Sequence, residues 1–564
     1  MHLEDFARSL AERATEKAAA SAKPRPVVWT IAGTDSGGGA GIQADTRAFD
    51  AFGVHGACAV AGITAQHSRA VMHVEPVSPT LLDAQLAALA EDMPPDAIKT
   101  GLLGSVENLR VVVGWVRKLR ARSPGKPVPL VVDPVFGATT GALFANGALR
   151  VAYRNELLPL ATLATPNLAE ARALVAASLT LDIAALARAW RAFGVRAVAI
   201  TGGDATAPTA QELEQLRCLR RDDPLEEPHA RAAWAQDWID SDHGLPVRGW
   251  VGLPRIAAPH NHGTGCVFAS AAAAALAHGF VAADAVVLAK MATTEALRHG
   301  YAAGAGAGPV APRAGFANRS VNLPTLSDAD EAPVASAFAP LPESARGLYA
   351  IVDSAAWVAR VVAAGVRLVQ LRIKEAAPGT LADEIRAAIA AARAAGATLI
   401  VNDHWSLALA LGADGVHLGQ EDLAGVDFDA LRRARLLLGV STHSYWEVCR
   451  ARALRPSYIA CGPIHATTLK KMPWRPQGDA NLAYWCRLLQ GTPVVAIGGM
   501  DVARARSAMR AGASSVAVVG AITRSADPEA AIAELQWAIE AGAVEATIAD
   551  VDDLPVARST LLVD

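Results

Sequence analysis

The segment GLYAIVDSAAWVARVVAAGVRLVQLRIK, residues 347–374, sets out one structural unit and the start of its repeat. A short apolar run, Leu348–Val352, leads into an Ala-rich helical stretch. A second apolar run, Arg367–Leu371, then ends among polar residues. The alternation continues through Thr398–Val401, Gly415–Leu418, Leu436–Val440, Tyr458–Cys461, Val494–Ile497 and Val516–Val519. Runs this short between helices read as buried parallel strands. Eight such units predict a (β/α)8 barrel over residues 344–543, with a doubly wound sheet as the rival.

Upstream, residues 316–343 are rich in Pro, Ala, Ser and acids without a sustained period, and read as an interdomain linker. Residues 26–315 again alternate strand and helix, with apolar runs at Val27–Ile31, Ala57–Gly62, Leu130–Val132 and Ala197–Thr201. That pattern predicts an α/β domain with a mainly parallel sheet. Residues 1–25 form a short extension and residues 544–564 a tail.

Of 564 residues, 52% are hydrophobic and 19% charged, which is a globular composition. A formal net charge of -3 argues against a nucleic-acid or membrane-surface binder, so any anion must be held by local groups. Six cysteines lack metal-ligand spacing and read as reduced thiols. Acids at Glu4, Asp5, Glu12 and Glu16 interrupt the amino-terminal stretch before any signal-peptide core, and the Ala-rich run Val267–Ala277 is too short to span a bilayer. A cytoplasmic location is expected.

Two glycine clusters mark the first domain. IAGTDSGGGAGIQAD, Ile31 to Asp45, follows a strand and leads into a helix, without the Lys-Ser/Thr of a P-loop. HGTGC, His262 to Cys266, opens a helical run. Gly263, Thr264 and Gly265 at a helix start would present free N–H groups to an anion, which phosphoryl transfer needs. Cys266 at that helix start is where a thiolate would be stabilised.

In the second domain, polar residues follow the strand ends, where (β/α)8 barrels place their sites. Arg372, Lys374 and Lys470 supply positive charge suited to a diphosphate. Asp403 and Asp422 are hard oxygen ligands suited to Mg²⁺. Gly498-Gly499 and the turn after the eighth strand suit a phosphate. A diphosphate site with metal beside a monophosphate site predicts two phosphorylated substrates.

The first domain resembles the ribokinase-like superfamily, and within it the hydroxymethylpyrimidine and phosphomethylpyrimidine kinases. The matching segments are AGTDSGGGAGIQAD, ITAQ at Ile63–Gln66, IKTGLLGS at Ile98–Ser105, VVDPV at Val131–Val135, TPNLAEA at Thr165–Ala171 and HGTGC. The resemblance implies ATP-dependent phosphorylation of 4-amino-5-hydroxymethyl-2-methylpyrimidine and then of its monophosphate. It implies pyrimidine contacts from Gly33, Asp45 and Gln66, and Cys266 as base. It places Asp133, Glu170, Thr201, Gly203 and the Gly263–Gly265 turn around ATP and magnesium.

The second domain resembles thiamine phosphate synthase through QLRIK, VNDH, GADGVHLGQEDL, LGVSTHS, GPIHATTLKKMPWRPQG and AIGGM. That implies loss of diphosphate from the pyrimidine and attack by a thiazole phosphate nitrogen. Gln370, Arg372, Lys374, Asn402, Ser441 and Lys470 would then contact the pyrimidine diphosphate, and Asp403 and Asp422 would bind Mg²⁺. Thr467, Thr468, Leu469, Gly499, Val519 and Gly520 would line the thiazole phosphate site. Both resemblances imply small-molecule substrates and a homo-oligomer.

The chain departs from these families in places. Thr139 and Thr201 stand where lysine is usual, Leu469 where a hydroxyl residue is usual, and residues 207–247 read as an insertion. Two alternatives follow: a first domain that binds pyrimidine as a regulatory module without catalysis, or a pyridoxal kinase.

Overall fold

The computed structural model describes residues 25–137, 147–175, 181–202, 234–327, 336–374, 378–467 and 473–546. The first domain is built on a ten-stranded sheet. Its strands are β1 (Val27–Gly33), β2 (His55–His67), β3 (Ala70–Pro76), β4 (Ala97–Thr100), β5 (Leu130–Val132), β6 (Leu163–Ala164), β7 (Ala197–Thr201), β8 (Trp234–Ser241), β9 (Val247–Pro254) and β10 (Thr325–Ser327). The order is β10-β9-β8-β7-β6-β5-β4-β1-β2-β3. The central run β2-β1-β4-β5-β6-β7 is parallel, and the flanking pairs are antiparallel.

Four helices of this domain carry the argument below: α1 (Gly41–Ala51), α2 (Leu168–Val175), α3 (Thr264–Ala277) and α4 (Ala282–Arg298). Every residue of α3 from Val267 to Leu276 is buried. A helix apolar on all sides belongs in a core, and α3 packs on α4, α1 and the sheet. Among the described residues no helix is long and apolar enough to cross a membrane.

The second domain is a closed barrel of eight parallel strands. They are β11 (Gly347–Val352), β12 (Leu368–Leu371), β13 (Thr398–Asn402), β14 (Gly415–Leu418), β15 (Leu437–Thr442), β16 (Tyr458–Cys461), β17 (Val494–Ile497) and β18 (Ser515–Val518), and β18 closes onto β11. Each falls where the apolar alternation puts it, because a buried strand and a one-sided helix need different periods. Tyr349, Leu368, Ile400, Leu437, Tyr458 and Val495 fill the barrel interior. Gly439 makes room there: a Cβ on it would lie 2.1 Å from Tyr458 Cζ.

Two expectations about segments are corrected. Part of the stretch read as a linker is structured, since β10 pairs antiparallel with β9 and Phe316, Ala317, Leu323 and Leu326 are buried. Its apolar residues are spaced irregularly because one strand-pairing edge and two single 3₁₀ turns need no long period. Residues 328–335 lie outside the described residues. Part of the stretch read as an insertion, Trp234–Ser241, is strand β8, and its acids Asp237 and Asp240 are buried in ion pairs.

The domains meet through two barrel helices, α5 (Tyr445–Leu454) and α6 (Gly478–Leu488). Helix α5 packs on β10 and α4. Tyr445 donates to Tyr484 Oη at 2.7 Å, Tyr484 donates to the Ala317 carbonyl at 2.8 Å, and Phe280 meets Tyr445 edge-on at 5.9 Å. If β10 is part of this packing, Leu326→Ala should cost about 2–5 kcal/mol of stability in denaturant unfolding. A solvated linker would leave the midpoint unmoved.

Candidate functional site

In the first domain the two glycine clusters are in direct contact. Asp35 accepts the N–H groups of Gly37, Gly39 and Ala40 at 2.8, 3.0 and 2.8 Å, folding the first cluster around its carboxylate. His262 Nε2 lies 3.0 Å from Asp35 Oδ2 and 3.3 Å from Gln66 Nε2, which ties in the second cluster. Burial acts to raise the Asp35 carboxyl, yet His262 and the backbone donors hold it below its ordinary value. Glycine is required at the contact: Gly263 has φ 86°, and a Cβ there would meet the Gly39 carbonyl at 2.1 Å.

Gly263 is the N-cap of α3, so Thr264, Gly265 and Cys266 form its first turn as expected. Asp133 directly follows β5 and Glu170 sits in the first turn of α2. Glu170 is also part of a capping box: it accepts from Asn167 N at 2.9 Å, while Asn167 Oδ1 accepts from Glu170 N at 2.8 Å. Burial, with the neighbouring carboxylates, pushes Asp133 up to about 6 and Glu170 up to about 8. The Asp133 charge raises Glu170, a setting that a cation would relieve.

Asp45 is placed differently from the expectation of a pyrimidine contact. It is fully buried, and its oxygens accept from Lys99 at 2.9 Å, Thr30 at 2.6 Å and Ser270 at 2.8 Å. A buried carboxylate with that many donors has no oxygen left to offer a ligand. Lys99, in the middle of β4, was missed, although a lysine inside an apolar strand is itself a signal. Its Nζ lies 3.9 Å from Asp133, and despite burial the acidic neighbours keep it charged.

Cys266 also differs from the thiolate expected at a helix start. Burial first, then Asp45 and Asp133, push its thiol up to about 12 against the pull of Lys99 and the Gly41 N–H. Burial outweighs the pull of the helix start. Gly33 approaches the Gly62 carbonyl and Leu102, where a Cβ would lie 3.5 and 3.0 Å away. Thr201 ends β7, and the N–H of Gly202 beside it donates to Asp237, which Lys290 holds at 2.7 Å. Gly203 and Thr139 lie outside the described residues.

In the barrel a cavity of about 430 Å³ opens at the carboxyl ends of the strands. It brings together Gln370, Arg372, Asn402, Asp403, Asp422, Ser441, Thr467, Gly499, Val519 and Gly520 as expected, together with His417, Glu421, His443 and Arg524, which were not. Lys374 is exposed two residues beyond Arg372 and does not line the cavity. Thr468, Leu469 and Lys470 lie outside the described residues.

Asp403 has φ 62°, a left-handed backbone that few side chains other than Asp and Asn adopt readily. Burial and the adjacent Asp422 raise its carboxyl, against the pull of Arg372 and His404. The two carboxylates fit a divalent cation whose other ligands would come from phosphate oxygens and water. No cluster of three or more His, Cys, Asp or Glu side chains suited to a metal occurs among the described residues. Gly499, with φ 65°, stands where a Cβ would meet the Ala466 carbonyl at 2.4 Å, so the seventh loop lies close against the sixth.

A hydrogen-bonded file runs beneath the cavity. Gln370 Nε2 donates to Tyr349 Oη at 2.8 Å, and Tyr349 lies 2.8 Å from Tyr458 Oη. Tyr458 lies 3.0 Å from His417 Nδ1, and His417 Nε2 lies 2.8 Å from Ser441 Oγ. Burial and Arg372 lower His417 to about 4, so the imidazole is neutral. With Gln370 donating at one end, each hydroxyl passes its proton onward, His417 carries its proton on Nε2, and Ser441 is left to donate into the cavity.

The phosphomethylpyrimidine kinase family model matches residues 35–311, and that of thiamine monophosphate synthase matches residues 348–522. The thiamine biosynthetic bifunctional enzyme of Arabidopsis thaliana, described as chloroplastic, is 32% identical over 89% of this chain and 91% of its own length. The chain belongs to the bifunctional thiamine biosynthetic enzymes. It joins a phosphomethylpyrimidine kinase domain to a thiamine phosphate synthase domain with the barrel fold. The thiamine-phosphate synthase of Rhizobium etli is 53% identical over 32% of this chain and 89% of its own length. A pyridoxal kinase from Staphylococcus aureus, solved with ADP, is 28% identical over 51% of this chain and 93% of that chain, with a TM-score of 0.42.

Tyr458→Phe cuts the file beneath the synthase cavity and frees His417 to take either tautomer. It should lower synthase kcat/KM by roughly tenfold or more in steady-state assays, as for loss of other outer groups that fix an imidazole, and leave kinase turnover intact.

Proposed function

We propose that the kinase domain phosphorylates hydroxymethylpyrimidine and then its monophosphate with ATP and Mg²⁺. The synthase domain then joins the resulting diphosphate to thiazole phosphate. The observation that carries this is a carboxyl raised by a neighbouring carboxylate in each domain, Glu170 by Asp133 and Asp403 by Asp422. Mg²⁺ held there would neutralise the charge that gathers on the transferred or departing phosphate.

In the kinase, the N–H groups of the Gly263–Cys266 turn hold the transferred phosphoryl group, and Gln66 orients the pyrimidine. Cys266 accepts the hydroxymethyl proton. Because its thiol is pushed up to about 12, that role depends on positive charge brought beside Asp133 when nucleotide binds. Thr139 and Thr201 in place of lysines leave the phosphates to backbone donors and the cation. In the synthase, Arg372 and Lys470 stabilise the departing diphosphate. Ser441 and Gln370 hold the pyrimidine, and Gly499, Val519 and Gly520 present N–H groups to the thiazole phosphate. The enzyme acts in the cytoplasm as a homo-oligomer, with residues 26–327 as kinase and 344–543 as synthase.

Purified protein with ATP, Mg²⁺, hydroxymethylpyrimidine and thiazole phosphate should form thiamine phosphate. No product in the presence of active control enzymes would overturn the reading. Cys266→Ala should slow pyrimidine phosphorylation by roughly 10²–10⁴ and spare coupling of supplied pyrimidine diphosphate, whereas Asp403→Ala should do the reverse.

The raised carboxyls also set a pH dependence. Asp133 at about 6 and Glu170 at about 8 must lose protons to hold a cation. The Mg²⁺ concentration for half-maximal kinase rate should therefore fall as pH rises from about 6 to about 8, by roughly tenfold. A flat profile would remove these two residues from the cation site.

A further inference from the structure

The kinase domain does more than adjoin the barrel, because one of its side chains reaches a backbone that leads into the synthase cavity. Asp284 lies in the first turn of α4 and is 1% exposed. Its Oδ1 accepts the N–H of Trp446 at 2.9 Å, across the domain boundary. Trp446 is the second residue of α5, where a backbone N–H has no partner within its own helix. The local N-cap, Ser444, makes no side-chain capping bond. Burial pushes the Asp284 carboxyl up to about 7, opposed by the Trp446 and Tyr445 N–H groups and the Ser444 hydroxyl and reinforced by Glu447.

What lies directly before α5 is the end of β15, which carries Ser441 and His443 into the synthase cavity. Glu447, buried in the first turn of α5, accepts from His443 N at 2.6 Å and pairs with its Nδ1 at 2.7 Å. The His443 ring stacks on Trp474 at 4.7 Å and 2°. A shift of the α5 start therefore moves the loop that holds Ser441 and His443. Helix α6 repeats the arrangement on the sixth unit. Tyr484 is anchored to the Ala317 carbonyl, and Trp485 donates to Gln477, which in turn donates to the Gly462 carbonyl at 3.0 Å.

We propose that Asp284 of the kinase domain is a positioning residue for the synthase reaction: it caps α5 from the neighbouring domain and so sets the β15 loop against the pyrimidine diphosphate. Docking of the kinase on α5 and α6 thereby completes one side of the synthase cavity. Gly499, Val519 and Gly520, at the ends of the seventh and eighth strands, are built by units that Asp284 does not touch. The two substrates of the synthase should therefore feel the loss of Asp284 unequally. This rests on Ser441 and His443 bordering the pyrimidine.

The test uses the full chain with pyrimidine diphosphate supplied. Asp284→Ala should raise KM for pyrimidine diphosphate by roughly tenfold and leave KM for thiazole phosphate and the kinase parameters within about twofold. Amide exchange of the 441–447 segment should quicken. Asp284→Asn, which keeps an acceptor oxygen, should restore the wild-type KM, and Asp284→Ser should fall between. If Asp284→Ala is insoluble, the order of Asn before Ser decides the question. Lowered thermal stability with both KM values unchanged would overturn the proposal, as would equal loss at both substrates or no rescue by Asn. Ser441→Ala keeps the two ideas apart, since an unchanged pyrimidine KM there would remove the assignment of the loop while leaving the domain contact to be judged by exchange.

Discussion

Like-charge repulsion between neighbouring carboxylates is the constraint around which the candidate sites of both domains are arranged. In the first domain Asp133 raises Glu170, and in the second Asp422 raises Asp403. Neither pair is stable as two bare charges under partial burial. Everything close by offsets that cost: Lys99 beside Asp133, Arg372 beside Asp403, and helix starts that offer N–H groups. A cation held at either pair would relieve that repulsion, so the same device recurs on two unrelated folds.

The network around Asp45 shows how support and contact are separated. Lys99, Thr30 and Ser270 saturate its oxygens, and the same lysine then faces Asp133. Asp45 thus holds the floor of the kinase site. The barrel solves the equivalent problem with neutral groups. Its file from Gln370 through two tyrosines and His417 ends on Ser441, and fixes the direction of each proton without a buried charge.

The fusion joins these sites by a packed interface and not only by a length of chain. Tyr445, Tyr484 and Trp485 are buried between barrel and kinase, and β10 closes the edge of the first sheet against α5. The two barrel helices used for docking are those whose preceding strands carry Ser441 and Thr467 to the cavity. A bifunctional chain can thereby make the shape of one site depend on the presence of the other domain.

The eight barrel strands, the parallel sheet, both glycine clusters and the strand-end residues lining the barrel cavity were legible because period and local turn chemistry are properties of neighbouring residues. Asp403, Asp422 and Gly499 needed only their place after a strand. What the sequence alone could not decide were contacts between distant segments. It could not show that Thr325–Ser327 pairs with β9, that Asp45 is spent on Lys99, or that burial of Cys266 outweighs its helix start. Nor could it show Asp284 reaching Trp446 from 162 residues away. Burial and charge at a point depend on every segment packed there, and only the tertiary structure brings those segments together.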